Sequence, residues 1–164
     1  MARLVLSDAS PLIGLAIVDG LSWLQPLFGE VWVPTEVRQE VLSGQVERGE
    51  AAIRAALQAG WLREWASPAP DADLPDLDEG EAACIRIGMA NPGNALLLID
   101  ERAGRAVAIE HGLQVAGTAA VVGMARQRGL IGAARPVFEA LHRSDFRISA
   151  EVIQMVLARV GEGA

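Results

Sequence analysis

The sequence contains no lysine; all 14 of its basic residues are arginine. That absence excludes three chemistries at once, because the phosphate-binding loop of nucleotide hydrolases, Schiff-base catalysis and the phospho-receiver site each need a lysine ammonium. Cysteine is nearly absent too. Cys84 stands alone, so the chain can form neither an internal disulfide nor a zinc knuckle, a pattern expected of a reducing, cytoplasmic setting. Long apolar runs are missing: 51% of the residues are hydrophobic, yet no run approaches the roughly 20 residues that span a bilayer. The opening "MARLVLSD" follows a strand pattern rather than that of a basic leader with an apolar stretch, and no membrane partner is expected. Positive charge is scarce as well. A net charge of −7 argues against a protein that coats nucleic acid electrostatically. It does not exclude an enzyme that cuts nucleic acid, whose site can be built from clustered carboxylates, divalent ions and a few local arginines.

What is present is an alternation of short elements. "ARLVLSD" reads as an aliphatic strand and "SPLIGLAIV" as a helix that Ser10 can cap and Pro11 can open. "EVWVP" predicts a second strand, Pro34 to Leu42 a helix, "GEAAIRAALQAG" another helix ended by Gly60, and "WLREW" a third strand. The Pro- and Asp-rich "ASPAPDADLPDLDEG" reads as a surface loop leading into the helix "EAACIRIGMA". The strand "ALLLID", the helix "ERAGRAVAIEH", the short strand "LQVAG" and a helix from Thr118 to Arg128 follow. From about Ala134 the tail holds two more helices split by "RSDFRIS", expected to pack on the sheet or to form a dimer contact. Continuous aliphatic strands alternating with helices indicate an α/β class with a parallel sheet covered on both faces. At 164 residues, with no repeat and no boundary, the chain is expected to be one domain.

In such sheets the working crevice lies beyond the carboxyl ends of the strands. Asp8 ends the first strand and Asp100 ends "ALLLI"; if those strands are neighbours, two carboxylates converge. Either residue could instead cap the helix that follows, although Ser10 and Pro11 already supply that cap after Asp8. Glu40 lies at the border of the stripe formed by Val33, Val37 and Val41, about 60° from its centre, where an ordinary boundary residue could also stand. Glu81 heads the stripe of Cys84, Ile85 and Gly88. It also matches the third position of a capping box whose cap is Asp78. Four carboxylates on four elements suit Mg²⁺ or Mn²⁺, which take oxygen ligands, and such ions activate water and neutralise charge on an attacked phosphate. The remaining acids read as solvated surface: Asp71, Asp73, Asp76 and Asp78 lack the glycine and terminal glutamate of a calcium loop. His111 and His142 have no partner at ligand spacing and read as structural or surface residues.

The segments "LVLSDASPLIGLA", "VPTEVRQEVL", "LDEGEAACIRIGMA", "LLLIDERAGRAVA" and "VAGTAAVVGMARQRGLI" occur in this order and span nearly the whole chain up to "FRIS". Together they resemble the PIN-domain family, in particular an uncharacterised prokaryotic subgroup akin to VapC-type toxin ribonucleases. The resemblance implies a three-layer α/β/α sandwich with a central parallel sheet and a Mg²⁺- or Mn²⁺-dependent endoribonuclease. It further implies the toxin of a toxin–antitoxin pair, silenced by a small antitoxin protein, and a homodimer. The family's acidic cluster maps onto Asp8, Glu40, Glu81 and Asp100. Thr118 would lie beside the metal site or simply cap its helix. Two departures mark this chain: Glu81 stands where many relatives have Asp, and Glu101 follows Asp100 where the subgroup often repeats Asp. Arg102 and Arg105, just beyond, could hold an RNA phosphate bidentately, or Arg105 could be an internal counter-ion to the acids. The alternative to a nuclease is a PIN-like binding or scaffold module with little hydrolysis.

Overall fold

The computed structural model describes residues 3–44, 49–66, 74 and 76–163. Five parallel strands, β1 (Leu4–Ser7), β2 (Val31–Pro34), β3 (Leu62–Trp65), β4 (Ala95–Leu98) and β5 (Gln114–Ala116), lie in the order β3-β2-β1-β4-β5. The two central strands are apolar on both faces: Val5, Leu6 and every residue from Ala95 to Ile99 are buried. That is what a sheet sandwiched between helical layers requires. The helices are α1 (Ala9–Ile17), α2 (Leu24–Phe28), α3 (Thr35–Val41), α4 (Glu50–Ala59), α5 (Glu79–Met89), α6 (Arg102–Glu110), α7 (Thr118–Gln127), α8 (Arg135–Arg143) and α9 (Ala150–Arg159). The result is the expected α/β/α sandwich. Among the described residues no single helix is long and apolar enough to cross a membrane.

The strand order places the site. From β1 the chain runs outward through β2 to β3, then returns to the other side of β1 as β4, with Ser7 paired to Leu98. The order therefore reverses between β1 and β4, and a crevice opens at their carboxyl ends. Asp8 leaves β1 there, its N–H donating to the Leu98 carbonyl at 3.0 Å.

Three expectations are corrected. The pattern gave no element for the 3₁₀ turn Leu21–Trp23 and α2, because Pro26 argues against a helix; it sits within the first three residues of α2, where no intrahelical N–H bond is needed. Ser10 is not the cap of α1: Asp8 occupies that position, with no side-chain cap bond. The tail helices do not join the sheet core. They close a second hydrophobic cluster in which Ala119 and Val122 of α7 meet Phe138, Leu141, Val156 and Leu157. Close approach needs Gly123, where a Cβ would fall 2.9 Å from Val156 Cγ1. Glu162 fastens the end of the tail by accepting the Ala134 and Arg135 N–H groups at 2.7 and 3.1 Å. The segment expected to be a Pro- and Asp-rich loop, with Asp71 and Asp73, lies largely outside the described residues.

Candidate metal centre

Asp8 is held at 5% exposure, yet it makes no cap bond to its own helix. Its carboxylate turns towards the start of α5, where a Cβ on Gly80 would lie 2.8 Å from Asp8 Oδ1. Only a residue without a side chain leaves that space. Asp78 precedes α5 and caps it, Oδ1 accepting the Glu81 N–H at 2.8 Å. Half of a capping box is thus formed, but Glu81 does not use its carboxylate as an ordinary solvated glutamate would. It is 2% exposed, and its Oε1 is buried without a hydrogen-bond partner. Its carboxyl group lies against Gly104 of α6, where a Cβ would be 3.1 Å from both Glu81 Cδ and Oε1.

Carboxylate oxygens of Asp8, Asp78 and Glu81 lie within 4.8 Å of one another. Asp8 and Asp78 border a cleft of about 250 Å³ that Glu40, Glu101 and Phe146 also line. Glu40 is an exposed residue at this cleft, not a half-buried one at a stripe border. Crowding and burial act together on the acids. Asp8 is pushed up to about 7 chiefly by burial; the Ala9 N–H, next in size, opposes this, and Asp78, Glu81 and Glu40 each add to the rise. Glu81 is pushed up to about 6 by burial, Asp78, Glu101 and Glu40. Glu40 is raised by burial and by Asp78. Each shift says that the ionised cluster is short of positive charge.

Asp100 stands at the neighbouring strand end but outside this group of three. Its Oδ1 accepts the Thr118 N–H at 2.7 Å; its Oδ2 accepts the Thr118 hydroxyl at 2.7 Å and the Ser10 hydroxyl at 3.0 Å. The helix it caps is therefore α7, not the α6 that follows it. Gly117 makes this possible, since a Cβ there would lie 2.9 Å from Asp100 Oδ1. Among the described residues Arg105 forms no ion pair with the acids: its Nη1 donates to the Ile99 carbonyl at 3.1 Å. Arg102 is exposed at the start of α6.

Of the residues expected at a site, the structure groups Asp8 and Glu81 with Asp78, sets Glu40 and Glu101 on the adjoining cleft, and bonds Thr118, which the resemblance put beside a metal, to Asp100. The sequence pattern missed Asp78 as a member of the cluster. The signal was available, because a residue three positions before Glu81 faces the same side of a helix start; assigning Asp78 the capping role obscured that it can serve in both. Three carboxylates, an orphaned Glu81 oxygen and two glycine-made spaces fit a hard divalent cation of the Mg²⁺ or Mn²⁺ type.

A family model described as DUF3368: PIN domain matches residues 4–162. Comparisons with curated proteins and with solved structures gave no match.

Proposed function

The chain belongs to the PIN-domain family, whose members are generally metal-dependent nucleases, and on that footing we propose that it is an endoribonuclease hydrolysing RNA phosphodiesters. The observation that carries this reading is the mutually repelling group at the sheet's switch point, in which buried Asp8 and Glu81 meet exposed Asp78. These three residues would hold Mg²⁺ or Mn²⁺. Glu40 and Glu101 face the same cleft, and Asp100 completes the acidic set from the neighbouring strand end, its orientation fixed by Thr118 and Ser10. A divalent ion there supplies a Lewis acid that activates the attacking water and neutralises charge developing on the phosphate. The chain's own part is to concentrate carboxylates at one cleft, to fix them by rigid helix starts, and to repel a polyanion until that charge is balanced.

The narrower reading is that of a cytoplasmic toxin, active as a homodimer and silenced by a small antitoxin that covers the cleft. Its support is the ordered set of motifs, together with Val152 and Met155, which remain 39% and 60% exposed on α9. The test of the nuclease reading is calorimetric titration of Mn²⁺ into wild type, Asp78→Asn and Glu81→Gln, alongside cleavage of a mixed RNA pool with and without EDTA. Binding weakened in both variants, with EDTA-sensitive cutting by the wild type, is expected. A well-folded wild type that binds no Mn²⁺ would favour the scaffold alternative.

A further inference from the structure

Seven residues are aromatic, four Trp and three Phe. Trp23, Trp32, Trp61, Trp65 and Phe28 pack on the main core, and Phe138 is buried in the second cluster. Phe146 touches that second cluster as well, but it alone of the seven also lines the acidic cleft, beside Asp8, Glu40 and Asp78. Its placement is built by the backbone. At the end of α8 the Phe146 N–H returns to the Leu141 carbonyl at 2.9 Å, across Asp145 in the left-handed region at φ 60°. This reversal is one that glycine usually supplies. The ring then crosses to α1, where Gly14 admits it: a Cβ there would lie 2.7 Å from both Cε2 and Cζ. The contact is made with the outer end of the ring, so a packed backbone props it where it lines the cleft. The cation content of the segment is also distinctive in a chain of net charge −7. Arg143 and Arg147 flank Phe146 and are exposed, and among the described residues Arg147 pairs with Asp145 alone, at 3.9 Å and with 83% of its side chain open. So open a pair holds its arginine weakly.

We infer that Phe146 is a stacking platform for a nucleobase, and that the cleft takes a single-stranded nucleic acid whose unpaired base lies on this ring while the adjoining phosphodiester reaches the carboxylates. Aromatic rings serve unstacked bases in this way irrespective of base identity, and Arg147 is placed to meet the backbone beside it. The inference rests on the nuclease reading and deepens it: a duplex, with its bases stacked inside, would be a poor substrate.

The experiment measures kcat and KM of the full-length protein on a short single-stranded RNA, the same RNA carrying one abasic ribose at successive positions around the cut, and its duplex. Wild type, Phe146→Leu and Phe146→Trp are compared. One abasic position is expected to raise KM roughly 10- to 100-fold in the wild type. Phe146→Leu is expected to show that loss with the intact RNA and no further loss with the abasic one, and Phe146→Trp to restore wild-type behaviour. Equal KM for intact and abasic RNA at every position, in a wild type that cuts, would overturn the platform and leave the nuclease reading standing. No cutting of any RNA by folded, Mn²⁺-loaded wild type would overturn both. The abasic arm uses the unaltered protein, so it decides the matter even if Phe146→Leu loses its packing on Gly14.

Discussion

Asp8→Asn replaces the most strongly perturbed acid by a neutral residue of the same shape. In EDTA the native Asp8 carboxyl titrates near 7, against an ordinary value of 3.8 in an unfolded chain. Between those two values the native state keeps a proton that the unfolded state has released. Unfolding therefore becomes easier as pH rises from about 4 to 7 and levels off above, since stability falls wherever the native state binds more protons. Three or so pH units correspond to roughly 4 kcal/mol. The variant escapes this cost because it has no charge to bury. Urea unfolding in EDTA should find Asp8→Asn more stable than the wild type by roughly that amount at pH 8, with the gap closing towards pH 4. Mn²⁺ at a hundred times the dissociation constant should narrow the gap: the wild type gains about 2.7 kcal/mol, and the variant gains little. A variant no more stable than wild type at pH 8 in EDTA, or a gap that ignores pH, would refute the account of Asp8 as a desolvated, repelled carboxylate.

The same crowding fixes the pH dependence of metal binding. Asp8 near 7 and Glu81 near 6 must lose protons to bind, so Mn²⁺ affinity should climb from pH 5 to 7.5, and titrations in two buffers of different ionisation enthalpy should reveal protons released. Gly104→Ala puts a methyl 3.1 Å from the Glu81 carboxyl; a loss of about tenfold in Mn²⁺ affinity, or 1.4 kcal/mol, is expected, and an unchanged affinity would remove Glu81 from the ion. Thr118→Val deletes the hydroxyl bound to Asp100 Oδ2 and should cost about 1–3 kcal/mol in denaturant unfolding, with Thr118→Ser recovering most of it. Glu162→Gln removes the carboxylate that caps α8 and faces Arg126 at 3.5 Å; it should lower stability by about 0.5–1.5 kcal/mol near neutral pH. Because Glu162 titrates below its ordinary range, that difference should vanish as acid protonates the wild-type residue.

Much of this architecture was legible in the chain because it is written in local patterns. The apolar runs of β1 and β4 announce strands buried on both faces, and Gly60 ends α4 in the left-handed conformation its position requires. Asp8 and Glu81 were legible for a related reason: a carboxylate at a strand end or inside an apolar stripe contradicts its surroundings, and such contradictions are expected at functional sites. Relations across long separations were not legible. Nothing within "LLLIDERAGR" says that Asp100 will cap α7, which begins at Thr118, and accept a hydroxyl from Ser10, 90 positions away.

The glycines make the point most sharply. Gly80 and Gly104 lie in the first turns of α5 and α6, where a helix gains nothing from glycine and loses up to about 1 kcal/mol relative to alanine. Neither has a positive φ that would require it. Read locally they are weaknesses; read in the fold, each is the space occupied by a carboxyl group from another element. Gly80 admits Asp8, Gly104 admits Glu81, and Gly117 before α7 admits Asp100. Three helix starts have thus been cleared, each beside an acid that arrives from a different part of the chain. A helix start offers partial positive charge, so the bare backbone brought up to these carboxylates can offset some of their repulsion. What such an offset leaves uncompensated is what burial and neighbouring charge still impose on Asp8 and Glu81, and it is of the sign that a divalent cation would relieve.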